Sequence, residues 1–428
     1  MDPKLEDVFG VGRAIMLSYV ERPDVNHEFV QALKHPRHII VYGSSKQGKS
    51  SLIGRHLNPD QYVVVGPGEN TKVGDMYASI VRQEKIPVKE VLEYGTRKKT
   101  MIKAQATLKM RIPIVGGEGK IGGDTEAEDS TKYELTPVDF NLNHAQDVCE
   151  LLKTINFSKS IVLENFHYLQ ESVQKTLSVD LRIFLDYGIR FIILGIWRER
   201  NRLAQYNGDL VDRMKEIPVD PWETPDMDRV SASGAEKLNI TLDPRLLDKV
   251  KEISFQSIGV FQELCKELCI ANGITERQEN NVQIGDHVVL SKAIERKVKD
   301  YGERHISALR SFVRKSPKDK RPQPSMSFYL VRAILDSRFD QIVRGVSREH
   351  IEEKIKAIYK ASSGFRAGEL SNLLHSLSSF QSDRKIWPPL FDYDQTARVM
   401  RVIDSTFFFY LRHAKEKIFK EIIEASSS

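Results

Sequence analysis

One run constrains this chain more than any other: Val41-Tyr42-Gly43-Ser44-Ser45-Lys46-Gln47-Gly48-Lys49-Ser50-Ser51. It fits G-x-x-x-x-G-K-S, the phosphate-binding P-loop (Walker A) pattern. Gly43 and Gly48 let the backbone take conformations that a side chain would block, so successive N–H groups can turn inward on a phosphate. The expected nucleotide-binding residues are therefore Gly43, Ser44, Ser45, Lys46, Gln47, Gly48, Lys49, Ser50 and Ser51. Lys49 would place a cation beside the β- and γ-phosphates of ATP, and the Ser50 hydroxyl is sized to ligate Mg²⁺. The flanks agree. His38–Tyr42 is a short apolar, β-branched run, as expected of a buried parallel strand. Ser51–Leu57 has helical spacing, and a helix N-terminus here adds partial positive charge to an anion site.

A P-loop needs a carboxylate beside its magnesium, at the carboxyl end of a neighbouring strand. Ser160-Ile161-Val162-Leu163-Glu164-Asn165-Phe166-His167 supplies the pattern: an apolar strand ending in Glu164, the expected metal-side acid. Asn165 stands where a second, water-activating acid is common. Arg190–Trp197 reads as a further buried strand opening into Arg198 and Asn201, candidates to sense the γ-phosphate from the ligand crevice of an open sheet. Arg213, before a last strand at 215–219, is a candidate to act on a neighbouring copy's nucleotide.

The chain has 428 residues, enough for two or three domains. Its net charge of +5 is unevenly spread: residues 301–428 carry 23 Lys and Arg against 15 Asp and Glu, while the rest is slightly acidic. Three cysteines make no disulfide framework, and Cys265 and Cys269 sit four apart in an apolar helical pattern that suits a core. No stretch reaches 18 apolar residues and no apolar leader opens the chain, so the expectation is a cytoplasmic protein outside the membrane.

The organisation follows in order. Residues 1–220 read as an α/β P-loop domain, a parallel sheet flanked by helices. Phe9–Gly12 reads as a turn, residues 88–110 have roughly helical spacing, and a glycine-rich insertion lies near 111–132. Residues 221–314 read as a helical lid. A Pro- and Lys-rich linker spans 315–325. Residues 327–428 read as helices at Phe328–Leu335, Arg348–Tyr359 and about Arg366–Phe380, then a hairpin around Asp394–Ala397, then a closing helix Phe407–Ile423. Three helices followed by a hairpin is the order of a winged helix-turn-helix, which places its third helix in a DNA major groove or serves as a protein–protein module. Arg366, Asn372, His375, Arg384, Lys385 and Arg398 are its candidate DNA contacts.

With these parts in hand, the chain resembles bacterial P-loop ATPases of the AAA+/STAND group, including the replication-initiator ATPases of the origin-recognition type. The likeness rests on Gly43–Ser50, on Ile161–His167, where the STAND branch commonly reads D-D-apolar-H, and on the order of P-loop domain, lid and winged helix. It implies ATP and Mg²⁺ as cofactors, nucleotide-dependent self-assembly, Ile193–Arg198 as a sensor strand and Arg213 as an arginine finger. It also implies engagement of DNA or a protein partner through residues 327–428, in settings such as antiphage defence, mobile elements or replication. The departures are Glu164 for Asp, Asn165 for the second acid, and no arginine in the lid stretch Ser257–Gln262. They point to a slow ATPase or a nucleotide switch with Lys49, Glu164, Asn165 and Arg213 in the catalytic positions. The alternative is a DNA-binding or scaffold protein whose nucleotide is structural.

Overall fold

Apolar runs without charged interruption can be buried on both faces, and three such runs, at 38–42, 160–163 and 191–195, form the centre of the sheet that carries the P-loop. A computed structural model describes residues 2–12, 14–84, 107–114, 134–316, 324–358 and 365–424. The first seven strands are β1 (His38–Tyr42), β2 (Tyr62–Val65), β3 (Thr107–Ile114), β4 (Glu134–Asn141), β5 (Ser160–Leu163), β6 (Phe191–Gly195) and β7 (Met214–Pro218). Five of them form a parallel sheet in the order β2-β5-β6-β1-β7, with Ile40 beside Ile193 on one flank and Glu216 on the other. One strand, β6, therefore separates the P-loop strand from the strand that ends at Glu164.

Strand alternation divides the sheet residues between two cores. Ile39, Val41, Val162, Ile192, Leu194 and Ile217 pack with Phe29, Leu52 and Ile53 from the helices Pro23–Leu33 and Lys49–His56. Ile40, Tyr42, Val63, Ile161, Leu163 and Ile193 pack with the helices Val73–Gln83, Ala145–Thr154 and Glu171–Asp186. The chain leaves β1 for the β2 edge and then works back across β5 and β6 to β7. That reversal makes the carboxyl end of β1 the topological switch point, where open α/β sheets form their ligand crevice.

Strands β3 and β4 pair antiparallel from Thr107 opposite Asn141 to Ile114 opposite Glu134. Residues 107–110, expected with helical spacing, and 111–114, expected in the glycine-rich insertion, are thus strand. The remainder of both segments, residues 85–106 and 115–133, lies outside the described residues.

The lid contains the helices Thr224–Leu238, Pro244–Ser254 and Ile258–Ala271 and the parallel pair β8 (Ile240–Leu242) and β9 (Val282–Ile284). Asp243 caps the second helix, its Oδ1 accepting from Arg245 N and Leu246 N at 2.9 and 3.1 Å. Cys265 and Cys269 are buried among Phe261, Leu264 and Leu268, which fits the core role read from their spacing. Leu5, Val8 and Phe9 from the start of the chain join this lid core.

The 27-residue helix His287–Val313 runs past the lid: Leu290 belongs to the lid core, while Ile306, Leu309 and Phe312 belong to the C-terminal one. Beyond it lie the helices Met326–Leu335, Phe339–Arg344, Arg348–Ile358, Ala367–His375 and Leu377–Asp383. The helix expected over 366–380 is broken at Ser376, whose hydroxyl donates back to the Asn372 carbonyl at 2.7 Å and competes with the backbone ladder. Strands β10 (Val346–Ser347), β11 (Phe391–Asp394) and β12 (Val399–Val402) form a small sheet in the order β10-β12-β11, with β11 and β12 as the expected hairpin. The helix Ser405–Ile418 follows, starting at its cap Asp404. Among the described residues no helix is long and apolar enough to cross a membrane.

Candidate nucleotide site

The loop between β1 and its helix takes the backbone its glycines permit. Gly43 has φ +150°, Gly48 has φ +82°, and Lys46 is held at φ +59° between them. At the carboxyl end of β1 this loop lines a cavity of about 260 Å³ with Lys46, Gln47, Gly48, Lys49, Ser50 and Ser51. Glu164, Asn165 and His167 enter from the end of β5, and Leu194 and Ile196 from β6. Gly10, Val11, Gly12, Ala14 and Met16 line the cavity too, with the lid residues Ile258, Gly259 and Gln262.

Lys49 is buried, and its ammonium donates to the carbonyls of Gly43 and Ser44 at 3.1 and 2.6 Å. Burial pushes its pKa down to about 8, with Asp220 pulling the other way. An anionic ligand would relieve that desolvation, so the loop is poised for one. The Ser45 hydroxyl is buried without a hydrogen-bond partner among the described residues, a further sign of a cradle built for polar atoms. Ser50 Oγ and Glu164 Oε1 stand 3.4 Å apart. A hydroxyl and a carboxylate are the hard-oxygen donors that Mg²⁺ takes alongside phosphate and water, so these residues fit the ion.

Asn165 takes φ +52°, a left-handed conformation that asparagine tolerates, and turns the chain out of β5 into the short helix Phe166–Tyr168. Lys49, Ser50, Glu164 and Asn165 thus surround one cavity. Arg213 does not join them. It sits at the amino end of β7, opposite the P-loop edge, where it pairs with Asp186 at 2.6 Å.

The sensor expectation for Arg198 needs correcting. Its side chain turns to the outer side of the P-loop, where Nε donates to Ser44 Oγ at 3.1 Å and Nη2 pairs with Asp220 at 3.1 Å. Asn201 is not among the residues lining the cavity; its backbone N–H donates to the Glu216 carboxylate. Among the described residues, Leu194 of β6 and Ile196 just beyond it are what this strand brings to the cavity.

Several residues around the loop carried little signal in the sequence. Asp220, buried just beyond β7, accepts from Ser44 N and Ser44 Oγ at 3.1 and 2.7 Å. Its one clue is an acid at a strand's carboxyl end. Gln47 donates to Ser257 Oγ and accepts from Ile258 N at the start of the lid helix, while Trp222 Nε1 donates to the Gln47 carbonyl. Of Phe9–Gly12, expected as a turn, Gly10, Val11 and Gly12 line the cavity with Ala14 and Met16, and Gly10 N donates to Gln262 Oε1 of the lid at 3.3 Å.

The C-terminal region also reaches the loop. Ser405 Oγ donates to the Ser45 carbonyl at 2.8 Å. Asp392 of β11 accepts from Arg198 N at 3.1 Å and pairs with Arg202 at 3.4 Å, both partners about one-tenth exposed. Of the candidate DNA contacts, Arg384 is spent inside the fold, donating to the carbonyls of Ser311 and Arg314 and stacking over Phe380, and Arg398 pairs with Glu349. Arg366, Asn372, His375 and Lys385 are exposed.

Sheet order, loop and cavity together give the chain the fold of a Walker-type P-loop ATPase. No protein-family model and no curated protein matches it. Among solved structures, a Walker-type ATPase of Pyrococcus abyssi is similar with a TM-score of 0.52 and 14% identity, over 96% of this chain and 98% of that one. Cdc6p of Pyrobaculum aerophilum has a TM-score of 0.40 and 11% identity over 97% and 96% of the two chains. The Aeropyrum pernix Orc1 protein in complex with DNA has 0.40 and 12% over 96% and 95%. At these identities the likeness to the Pyrococcus protein is one of fold, carried through nearly the full length of both chains.

Proposed function

We propose that this chain is an AAA+-type ATP-binding switch with slow turnover, in which Mg-ATP on Gly43–Ser51 controls how the C-terminal region sits on the ATPase core. The observation that carries this reading is the P-loop itself. One side faces a cavity with Lys49, Ser50 and Glu164, and the other is hydrogen-bonded to Asp220, the lid and Ser405. A ligand that draws Lys49 off the Gly43 and Ser44 carbonyls acts on the loop whose next carbonyl, that of Ser45, holds the C-terminal helix.

Lys49 would hold the β- and γ-phosphates, Ser50 and Glu164 the metal, and Gly10–Met16 with Ile258–Gln262 the nucleoside end. When bound, Mg²⁺ supplies charge neutralisation at the phosphates. The cavity is slightly below the ~300–1,000 Å³ usual for small-molecule sites, so the lid moves outward to admit a whole nucleotide. Asn165 has no proton-accepting carboxylate, which favours slow hydrolysis. In the C-terminal region, helices Met326–Leu335, Arg348–Ile358 and Ala367–His375 with the β10–β12 sheet support a winged-helix reading. Arg366, Asn372, His375 and Lys385 are the exposed groups that would meet DNA. Arg213 would act on a neighbouring copy only after leaving Asp186.

The test is equilibrium binding of ATP with magnesium to the wild type and to Lys49→Ala, followed by phosphate release over hours with and without duplex DNA. Loss of binding in the variant and a slow release trace are expected; equal binding by both proteins overturns the reading. A second reading, a scaffold with a structural nucleotide, is favoured by the same Asn165 and predicts no phosphate release while ATP stays bound. For DNA, affinity should fall steeply with salt as phosphate contacts release counterions.

A further inference from the structure

His167 is a polar group of the cavity lining that the site chemistry leaves unused. Its side chain is 6% exposed, and neither ring nitrogen has a hydrogen-bond partner among the described residues. A buried imidazole left in that state costs free energy on the order of an unmade hydrogen bond per nitrogen, which is rare unless a ligand completes it. Burial, then the Lys49 and Arg202 cations, hold its pKa down at about 3, so the ring is neutral and keeps one donor and one acceptor nitrogen.

The position of the ring in the cavity defines what it meets. Residues 10–12, 14 and 16 with Ile258 and Gly259 give the lining glycines and apolar groups that suit a ribose and flat base, while Lys49, Ser50, Glu164, Asn165 and His167 give it polar ones, with Lys49 near enough to His167 to act on its charge. The terminal phosphate belongs beside Lys49 and Ser50. There β6 contributes Leu194 and Ile196, and Arg198 is committed to Asp220 and Ser44 on the far side of the loop. The ring also lies against aromatic neighbours, 4.4 Å from the Tyr168 ring and 6.3 Å from that of Trp387 between centroids. Both ring nitrogens are shielded in this arrangement, so a nucleotide would meet them only as the ring turns into the cavity it lines, where a donor and an acceptor can align a γ-phosphate oxygen or the water in line with it.

We infer that His167 is a positioning residue for the terminal phosphate, the group through which this site tells ATP from ADP. The inference rests on the nucleotide-binding reading above and adds the residue that replaces a polar sensor on β6.

The experiment compares ATP and ADP affinities, with magnesium, for the wild type, His167→Gln and His167→Phe. Phe keeps a ring against Tyr168 and Trp387 but no nitrogen; Gln keeps a polar nitrogen and oxygen but no ring. The expected result is a drop of roughly tenfold or more in the ATP-over-ADP preference for Phe, the size of a lost hydrogen bond to a charged group. ADP affinity should be near that of the wild type, and Gln should retain part of the preference. A Phe variant with the wild-type ratio overturns the inference, and so does a Gln variant that loses more of the preference than Phe. A wild type that binds neither nucleotide overturns the underlying reading instead. If both variants fail to fold, a structure of the unaltered protein with a non-hydrolysable ATP analogue decides. An imidazole nitrogen at ~2.6–3.2 Å from a γ-phosphate oxygen or its adjacent water is expected, and a ring turned away from both overturns the proposal.

Discussion

Ser405 Oγ donates to the backbone carbonyl of Ser45 at 2.8 Å, joining the first residue of the C-terminal helix to the middle of the P-loop across 360 positions of sequence. The same hydroxyl lies 3.5 Å from Gln47 Nε2, a weaker contact at the limit of hydrogen-bond reach. The P-loop is therefore a shared element, lining the cavity on one side and hydrogen-bonded to the C-terminal region on the other.

Removing the Ser405 hydroxyl tests that sharing. Ser405→Ala deletes one good hydrogen bond, worth about 1 kcal/mol, from the docked arrangement. If docking opposes nucleotide entry, the variant should bind ATP roughly fivefold more tightly, because the competing state loses that free energy. Trp222, whose indole donates to the Gln47 carbonyl, provides the fluorescence signal for the titration. Unchanged or weaker affinity would show that the docked arrangement is the one that binds.

Gly259 sets how closely the lid lies on the loop. A Cβ there would meet Lys46 Cβ at 2.6 Å and the Lys46 carbonyl at 2.7 Å, inside van der Waals contact with backbone. Intrinsic propensity argues the other way, since Ala is favoured over Gly within a helix by up to about 1 kcal/mol. Steric conflict wins because the carbonyl it meets belongs to a loop pinned by Gln47 and Trp222. Gly259→Ala should lower the melting temperature by several degrees and weaken nucleotide binding, as read by thermal unfolding with and without ATP. A rise in melting temperature would mean that the lid shifts at no cost.

Local chemistry in the sequence makes part of this architecture legible. The P-loop glycines report on their own backbone, and the β-branched runs at 38–42, 160–163 and 191–195 report that both their faces are covered. Asp243 and Ser347 announce helix starts because a cap bonds to residues two or three positions away. Asp220 and Ser405 act on the loop from 176 and 360 positions off, and Asp392 holds Arg198 and Arg202 from a similar distance, where no local pattern reaches. The direction of Arg198 was illegible for a related reason: a strand end does not tell which side of the adjacent loop a long side chain will take. The hairpin of β3 and β4 was hidden because each strand carries a proline, Pro113 and Pro137, a residue that argues against a strand in sequence.

His38 gives the fold a built-in acid sensitivity. Its Nδ1 accepts from Phe191 N at 3.0 Å, which fixes the proton on Nε2, facing the Leu181 carbonyl at 2.7 Å. A second proton would have to point at the Phe191 N–H, and burial already pushes the pKa down to about 4. The unfolded chain takes up a proton near 6.5 and the folded one near 4. The contribution is therefore fully present above about pH 7, is lost as pH falls from 6.5 to 4, and amounts to about 3 kcal/mol. Urea unfolding across that range should show the decline, and His38→Gln, less stable at neutral pH, should show a smaller one. Parallel slopes for both proteins would assign the acid loss to other groups.

The proposed slow turnover makes Asn165 the residue to test. It lies on the cavity wall beside Glu164, in a left-handed turn at φ +52° that aspartate adopts nearly as readily as asparagine. Asn165→Asp should therefore leave the fold intact while adding a group able to accept a proton from an attacking water. General-base participation contributes about 10²–10⁴-fold, so a rise in phosphate release of at least ~10-fold is expected even with imperfect alignment. Glu164→Gln tests the other acid, because losing the carboxylate beside Ser50 should weaken magnesium-dependent ATP binding while sparing metal-free binding. The two substitutions change neighbouring residues by one atom each, in opposite directions, so a shared folding defect would move both readouts together. A faster Asp variant means that Asn165 was limiting turnover at an otherwise competent site. An unchanged rate would place the limit in lid opening or in release of the C-terminal region, and Ser405→Ala in the same background would then accelerate it.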